Sequence, residues 1–197
     1  SSFRGIHDSL VNYESGRTPN PEMVLCCHEE IAVAVAHGYA KATGKIIPAI
    51  VHNVVGLQHA SMAIYNAWCD HTPVMVMGGT GPMNSSKRRP WIDWIHTAQV
   101  QGNLVRDFVK WDDQPVGVEA FPSSIMRGYR IAMSDPGGPV YLCFDVSDQE
   151  AAIEKEIPLP DPKRFRPAAP LQADYDAIKE AAQLLSSAQN PVILADY

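Results

Sequence analysis

The residues of this chain best suited to chemistry include a carboxylate at the end of an apolar run. The segment Met23–Cys27 is apolar, and the residues that follow it are His28, Glu29 and Glu30. A carboxylate held between apolar walls has a raised pKa or becomes a strong hydrogen-bond partner, which makes Glu29 a candidate catalytic group. The alternative is that Glu29 and Glu30 only complement the positive end of a helix dipole.

His52 is the second candidate. It follows the apolar segment Ile46–Val51 and precedes the loop Asn53–Gly56. In open parallel sheets the carboxyl ends of the strands face the ligand crevice. Histidine can transfer protons near neutral pH, so His52 is a candidate proton-transfer group, although a lone histidine also suits a structural role.

Other catalytic motifs are excluded by their spacing. The segment beginning at His28 is not a zinc-protease His-Glu-x-x-His, because Ala32 stands where the second histidine is required. The glycines of 78–81 lack the dinucleotide-binding spacing, and the chain contains no Gly-x-Ser-x-Gly elbow.

The alternation of apolar patterns predicts an α/β fold, a parallel sheet with helices on both faces. The central helix is predicted over 29–43, fully buried, with carboxylates at its start and Gly44 after its end. Other helices are predicted near 6–13, 57–67, 100–108, 121–132 and 174–187. Strands are predicted at 23–27, 46–51, 74–77, 109–111, 140–146 and 191–195, and residues 78–82 are expected to break the third strand.

Prolines divide the chain into three parts. A first domain is predicted over 1–150, without its first strand, followed by a proline-rich linker over 151–173. Residues 174–197 then predict the start of a truncated second α/β domain. Because the sequence begins with Ser1 rather than methionine, an upstream segment is expected to be missing.

Composition limits the partners. The 197 residues carry a net charge of −6 and the basic tract 87–89 is short, which argues against nucleic acid. No apolar run approaches the roughly 20 residues that span a membrane. The four cysteines form no Cys-x-x-Cys and fit a reducing compartment, so a cytoplasmic location is expected.

Three segments together resemble a known family. They are His28–Lys45, with Gly-Tyr-Ala-Lys-Ala-Thr-Gly-Lys at its end, Asn66–Gly79, and Gly137–Leu142. In order and spacing they resemble the amino-terminal, pyrimidine-binding domain of thiamine diphosphate enzymes such as acetolactate synthase and benzoylformate decarboxylase. The resemblance covers most of 3–150.

The resemblance implies roles for several residues. In that family a glutamate contacts N1′ of the cofactor's aminopyrimidine and promotes loss of the thiazolium C2 proton, and Glu29 has the matching position. Asn53 and Gly56 are implied as further cofactor contacts. His52 matches a histidine that relays protons in benzoylformate decarboxylase. His96 and Gln99 fall in a region that reaches substrate in some relatives.

The resemblance also implies that the chain supplies only part of each active site. The family binds diphosphate and Mg²⁺ through a Gly-Asp-Gly segment and a later asparagine, which this sequence does not contain. A homodimer or homotetramer that pairs through the pyrimidine domain is therefore expected. FAD, which some relatives bind in the central domain, is left open.

The implied function is that of a lyase or transferase, a thiamine diphosphate-dependent decarboxylase or carboligase acting on a 2-keto acid. Val54-Val55-Gly56 replaces the Gly-Pro-Gly of acetolactate synthases, and Thr80 stands where they have glutamine. These departures argue against acetolactate synthesis itself. The alternatives are a non-catalytic α/β pairing domain or one chain of a split two-subunit enzyme.

Overall fold

Four parallel strands form the centre of the structure. The computed structural model describes residues 3–14 and 21–194. Strands β1 (Pro48–Ile50), β2 (Met75–Thr80), β3 (Trp111–Asp113) and β4 (Val140–Asp145) form one sheet in the order β1-β2-β4-β3. Every neighbouring pair is parallel. The predicted α/β fold with a parallel sheet is therefore confirmed.

Helices connect the strands, as parallel pairing requires. They are α1 (Arg4–Glu14), α2 (Glu29–Thr43), α3 (Val55–Cys69), α4 (Ile92–Ile95), α5 (Phe121–Met133), α6 (Val146–Gln149) and α7 (Tyr175–Ser187). Short 3₁₀ turns lie at Ser85–Lys87, Gln101–Leu104, Arg106–Phe108, Val118–Ala120 and Pro162–Phe165. None of these described helices is long and apolar enough to cross a bilayer.

Helix α2 has the bounds that its sequence predicts. The Nδ1 atom of His28 accepts a hydrogen bond from the Glu30 N–H and so caps the first turn. Gly44 ends the helix in the left-handed conformation, with φ of 67°, and its N–H donates to the Ala40 carbonyl. These local signals fix both ends of the helix without help from distant residues.

The core has two layers, one on each face of the sheet. Side chains alternate along β4, so Tyr141 and Leu142 are both fully buried but belong to different layers. Tyr141 packs with residues of α2 and α3, whereas Leu142 packs with residues of α5. Helices α2 and α3 are thus held together against one face of the sheet.

Two predicted strands are wrong. Residues 23–27 form no strand, and Leu25 is 98% exposed, because no described strand lies beside this segment to accept its backbone hydrogen bonds. A groove separates the segment from β1. Residues 191–194 are also not a strand, and Leu194 is 95% exposed. Residue 195 of that prediction lies outside the described residues.

Three other predictions are corrected by packing. Gly78 to Thr80 continue β2 instead of ending it, since a Cβ at Gly78 would lie 2.6 Å from the Tyr141 hydroxyl and the strand needs glycine there. The helix predicted over 100–108 is two 3₁₀ turns. Helix α2 is buried on one side only, because Ile31, Val35 and Tyr39 remain 40–49% exposed.

Candidate active site

Glu29 is the first residue of α2 and faces the groove beside β1. Its side chain is 28% exposed, and its Oε2 atom lies 3.6 Å from Nδ1 of His59 on α3. The carboxylate therefore sits where the amino-terminal ends of two helices meet. Exposed backbone N–H groups and the positive ends of helix dipoles stabilise negative charge at such a place.

Gly56 allows this close approach. A Cβ atom at residue 56 would lie 2.9 Å from the Cβ of His52 and 3.0 Å from Oε1 of Glu29. Both separations are shorter than carbon–carbon or carbon–oxygen van der Waals contact, so only glycine fits without displacing one of the two neighbours. Gly56 thus places the Glu29 carboxylate directly over the first turn of α3.

Gln101 fixes the loop that precedes Gly56, and the sequence analysis did not identify it. Val54 has φ of 49°, which is strained for a β-branched residue. Its N–H donates to Oε1 of Gln101 at 2.8 Å, while Nε2 of Gln101 donates to the Gly79 carbonyl at 2.8 Å. The buried amide therefore ties the loop to the end of β2.

His52 and His96 come together at the groove, with ring centroids 5.1 Å apart. Nδ1 of His96 lies 2.8 Å from the Ile92 carbonyl, which can only accept, so this nitrogen carries the proton and Nε2 has the free lone pair. The Asn53 amide donates to the His96 carbonyl at 2.7 Å and orders this loop.

The environment favours the neutral form of His52. Burial is the largest cause that lowers its pKa from the usual 6.5, and the neighbouring His96 lowers it further. The Glu29 carboxylate acts in the opposite direction. A neutral imidazole can accept a proton, so the pair His52 and His96 can move protons between groups bound in the groove.

The groove brings together most of the predicted site residues. It has a volume of about 960 Å³, and Glu29, His52, Asn53 and His96 lie along it together with the apolar segment 23–27. Gly56 lies beneath Glu29 and His52. Gln99 is exposed and does not line the groove, so its role in substrate binding stays a prediction.

Comparison with known proteins decides the family. Residues 5–106, more than half of the chain, match the family described as the thiamine pyrophosphate enzyme, N-terminal TPP binding domain. The chain belongs to this family. The resemblance found in the sequence is thereby confirmed.

Individual relatives agree with the family. The chain is 25% identical over 175 residues to a benzoylformate decarboxylase of Pseudomonas aeruginosa, covering 87% of this chain and 31% of that protein. It is 29% identical over 179 residues to a probable acetolactate synthase large subunit of Methanocaldococcus jannaschii, covering 87% and 29%.

A solved structure shows the same fold. The benzoylformate decarboxylase of Polynucleobacter necessarius superposes with a TM-score of 0.73 at 28% identity, covering 96% of this chain and 33% of that chain. This chain therefore spans about a third of the length of the relatives that it matches. Within this chain, residues 5–106 are the part that the family description of an amino-terminal domain covers.

We expect Gly56→Ala to damage the site and Gly128→Ala to be tolerated. The added methyl at residue 56 must displace His52 or Glu29, at a cost of about 1–3 kcal/mol in the free energy of unfolding. At residue 128, within α5, the nearest atoms would be at an ordinary 3.5 Å, and alanine favours helix by up to about 1 kcal/mol. Urea denaturation measures the free energy of unfolding of both variants. Equal stability of Gly56→Ala and Gly128→Ala would contradict the role assigned to Gly56.

We expect the His52 ring to titrate below pH 6.5 and His96→Asn to raise its midpoint. The substitution removes the second ionisable ring, whose protonated form would lower the pKa of His52, while burial continues to lower it. The unfolded chain binds a proton on the His52 ring more readily than the folded chain does. The contribution of His52 therefore makes the free energy of unfolding fall as the pH drops below 6.5. NMR titration of the histidine rings measures the midpoint, and an unchanged His52 midpoint in His96→Asn would exclude the coupling.

Proposed function

We propose that this chain is the pyrimidine-binding part of a thiamine diphosphate-dependent enzyme that decarboxylates a 2-keto acid, with or without ligation of the product. The observation that carries the proposal is the half-buried Glu29 carboxylate, held over Gly56 at the mouth of the groove. Benzoylformate decarboxylase and acetolactate synthase among the relatives support the reaction class.

The residues present fit the pyrimidine end of the cofactor. A cofactor of this kind needs a carboxyl group that can share a proton with a ring nitrogen, and Glu29 offers one at the edge of an open groove. Without a Cβ at residue 56, that carboxylate can lie directly over the first turn of α3. When bound, thiamine diphosphate supplies the nucleophilic carbon and the electron sink for 2-keto acid chemistry.

The protein side chains divide the remaining work. Glu29 holds or releases a proton at its carboxylate oxygen. Burial favours the neutral form of His52, which can accept a proton from a group in the groove, with the ring of His96 nearby. Asn53 acts indirectly, because its amide orders the His96 loop.

The remaining parts of the proposal concern the whole protein. Mg²⁺ would bind with the diphosphate in a domain outside this chain, because no Gly-Asp-Gly segment is present. The proposed domain limits are 1–150 for the pyrimidine domain, 151–173 for the linker and 174–197 for the start of the next domain. A cytoplasmic location is proposed on the basis of the four free cysteines.

Glu29→Gln tests the proposal, with Glu30→Gln as the matched control. The amide cannot exchange a proton as the carboxyl group does, so we expect about a hundredfold or greater loss of cofactor-dependent turnover. Glu30, the next residue of α2, is exposed and should tolerate the change. Calorimetric titration of thiamine diphosphate with Mg²⁺ into the full-length protein measures the affinity for the cofactor. The rate of 2-keto acid decarboxylation measures turnover.

The outcomes separate the candidate functions. No binding of the cofactor by the wild-type protein would favour the non-catalytic pairing domain, and binding only after addition of a second polypeptide would favour a split enzyme. If the wild type binds and turns over but Glu29→Gln is unimpaired, the role of Glu29 is refuted while the cofactor assignment stands.

We also propose that the exposed stripe of α2 pairs with a second subunit. Ile31, Val35 and Tyr39 recur every four residues, so they lie on one side of the helix, and Gly38 beside them presents little bulk. Exposed apolar stripes of this kind are typical of subunit interfaces. The stripe begins two residues from Glu29, so pairing would place the partner subunit beside the site.

Tyr39→Arg should weaken this pairing, because a charge on the stripe would have to be buried without a partner. Tyr175→Arg is the control, since Tyr175 is a 77% exposed tyrosine on another helix, α7. Sedimentation velocity of the full-length protein measures the assembly. We expect Tyr39→Arg to dissociate at a protein concentration at least roughly tenfold higher than the wild type does. Tyr175→Arg should dissociate at the same concentration as the wild type. Equal behaviour of both variants would place the interface elsewhere.

A further inference from the structure

Two histidines beside Glu29, His28 and His59, have no part in the reaction described above. His28, Glu29 and His59 each offer one donor atom, and these three atoms lie within 4.8 Å of one another. The two imidazole rings are nearly parallel, 18° apart in plane, with centroids 5.0 Å apart. Both histidines are exposed and therefore accessible to ions from solvent.

The spacing suits a small divalent ion. In a tetrahedral zinc site with bonds of about 2.1 Å, donor atoms are about 3.4 Å apart. Nδ1 of His59 is already 3.6 Å from Oε2 of Glu29. The remaining donor separations are at most 4.8 Å, so the third donor needs to move inward by no more than about 1.4 Å, which a side-chain rotation on an exposed helix end supplies.

We propose that His28, Glu29 and His59 bind a divalent transition metal of the zinc class, with water as the fourth ligand. Two imidazoles and one carboxylate are ligands that favour Zn²⁺, Co²⁺, Ni²⁺ and Cu²⁺, whereas Mg²⁺ prefers a shell of oxygen atoms. The site therefore differs in chemistry from the magnesium site expected with the diphosphate, and Mg²⁺ does not compete for it.

Metal binding changes the cap of α2. Nδ1 of His28 now gives its lone pair to the Glu30 N–H at 3.2 Å, which leaves the proton on Nε2. A neutral imidazole has one free lone pair, so the metal must replace this hydrogen bond. Binding therefore releases the Glu30 amide and loosens the first turn of α2, a change that a purely structural His28 does not produce.

The consequence for function rests on the proposed function. If Glu29 is the carboxyl group that meets the pyrimidine, one carboxylate cannot serve the metal and the cofactor together. Zinc-class ions would then compete with thiamine diphosphate, and the competition would persist in excess Mg²⁺. The cluster would act as a metal-sensitive block of cofactor binding.

The test uses the full-length protein freed of metal and cofactor. Co²⁺ is added first, because its visible absorption reports nitrogen and oxygen ligation, and Zn²⁺ is then titrated calorimetrically in excess Mg²⁺. Loss of an outer-sphere partner already weakens metal sites by about 10–100-fold, so removing a direct ligand by His59→Ala should weaken Zn²⁺ binding at least tenfold. His7→Ala, on the exposed α1, is the matched control and should bind as the wild type.

His28→Asn tests metal ligation in a variant that is expected to stay folded. Asparagine retains a cap acceptor for the helix but lacks the imidazole, so this variant should keep the unfolding midpoint and lose tight Zn²⁺ binding. In the wild type, the Glu30 amide should exchange with deuterium faster once Zn²⁺ is bound. Unchanged exchange at Glu30 would contradict ligation by His28.

The metal-binding results can be interpreted independently of the results on thiamine diphosphate. Zn²⁺ binding that is equal in wild type, His59→Ala and His28→Asn overturns the metal site, whether or not thiamine diphosphate binds. Binding of Zn²⁺ that depends on both histidines supports the site even if thiamine diphosphate never binds. If both bind but simultaneously, the competition is refuted.

Discussion

The contact between the amino-terminal ends of α2 and α3 determines the geometry of the site. Glu29 begins one helix, Gly56 lies in the first turn of the other, and no side chain separates them. The buried faces of both helices pack in the same core layer, with Val33 from α2 and Leu57 from α3 fully buried. The position of the carboxylate is therefore set by the packing of the core together with the missing Cβ.

Sequence patterns predict elements whose signals are local. The limits of α2 follow from its cap and its terminal glycine, and α3 and α5 follow from apolar spacing of three and four residues. Strand β4 is a continuous apolar run, as expected for a strand buried on both faces. In each case the information lies within the element itself.

The failed predictions depend on neighbours that are distant in sequence. Residues 23–27 have a strand-like composition, but a strand also needs a partner, and none of the described residues supplies one at this edge. Gly78 lies within β2 because Tyr141, 63 positions later, occupies the space of a side chain. Apolar spacing within one segment reveals neither the missing strand partner of 23–27 nor the contact between Gly78 and Tyr141.

The same distinction applies to the site. Family resemblance suggests Glu29, His52 and His96 as candidates. Gln101 could not be predicted in this way, because its two hydrogen bonds join a loop and a strand end that lie 47 and 22 residues away. Its neighbour Gln99 has the same side chain and is exposed, so the residue type alone does not distinguish the two.

The site adjoins two apolar surfaces that the described residues leave open. One is the groove along 23–27, and the other is the stripe of α2 that includes Ile31 and Tyr39. Burial of charged groups strengthens their interactions, because water no longer screens them. The polarity around Glu29 therefore depends on what covers these two surfaces as well as on the fold that places the carboxylate.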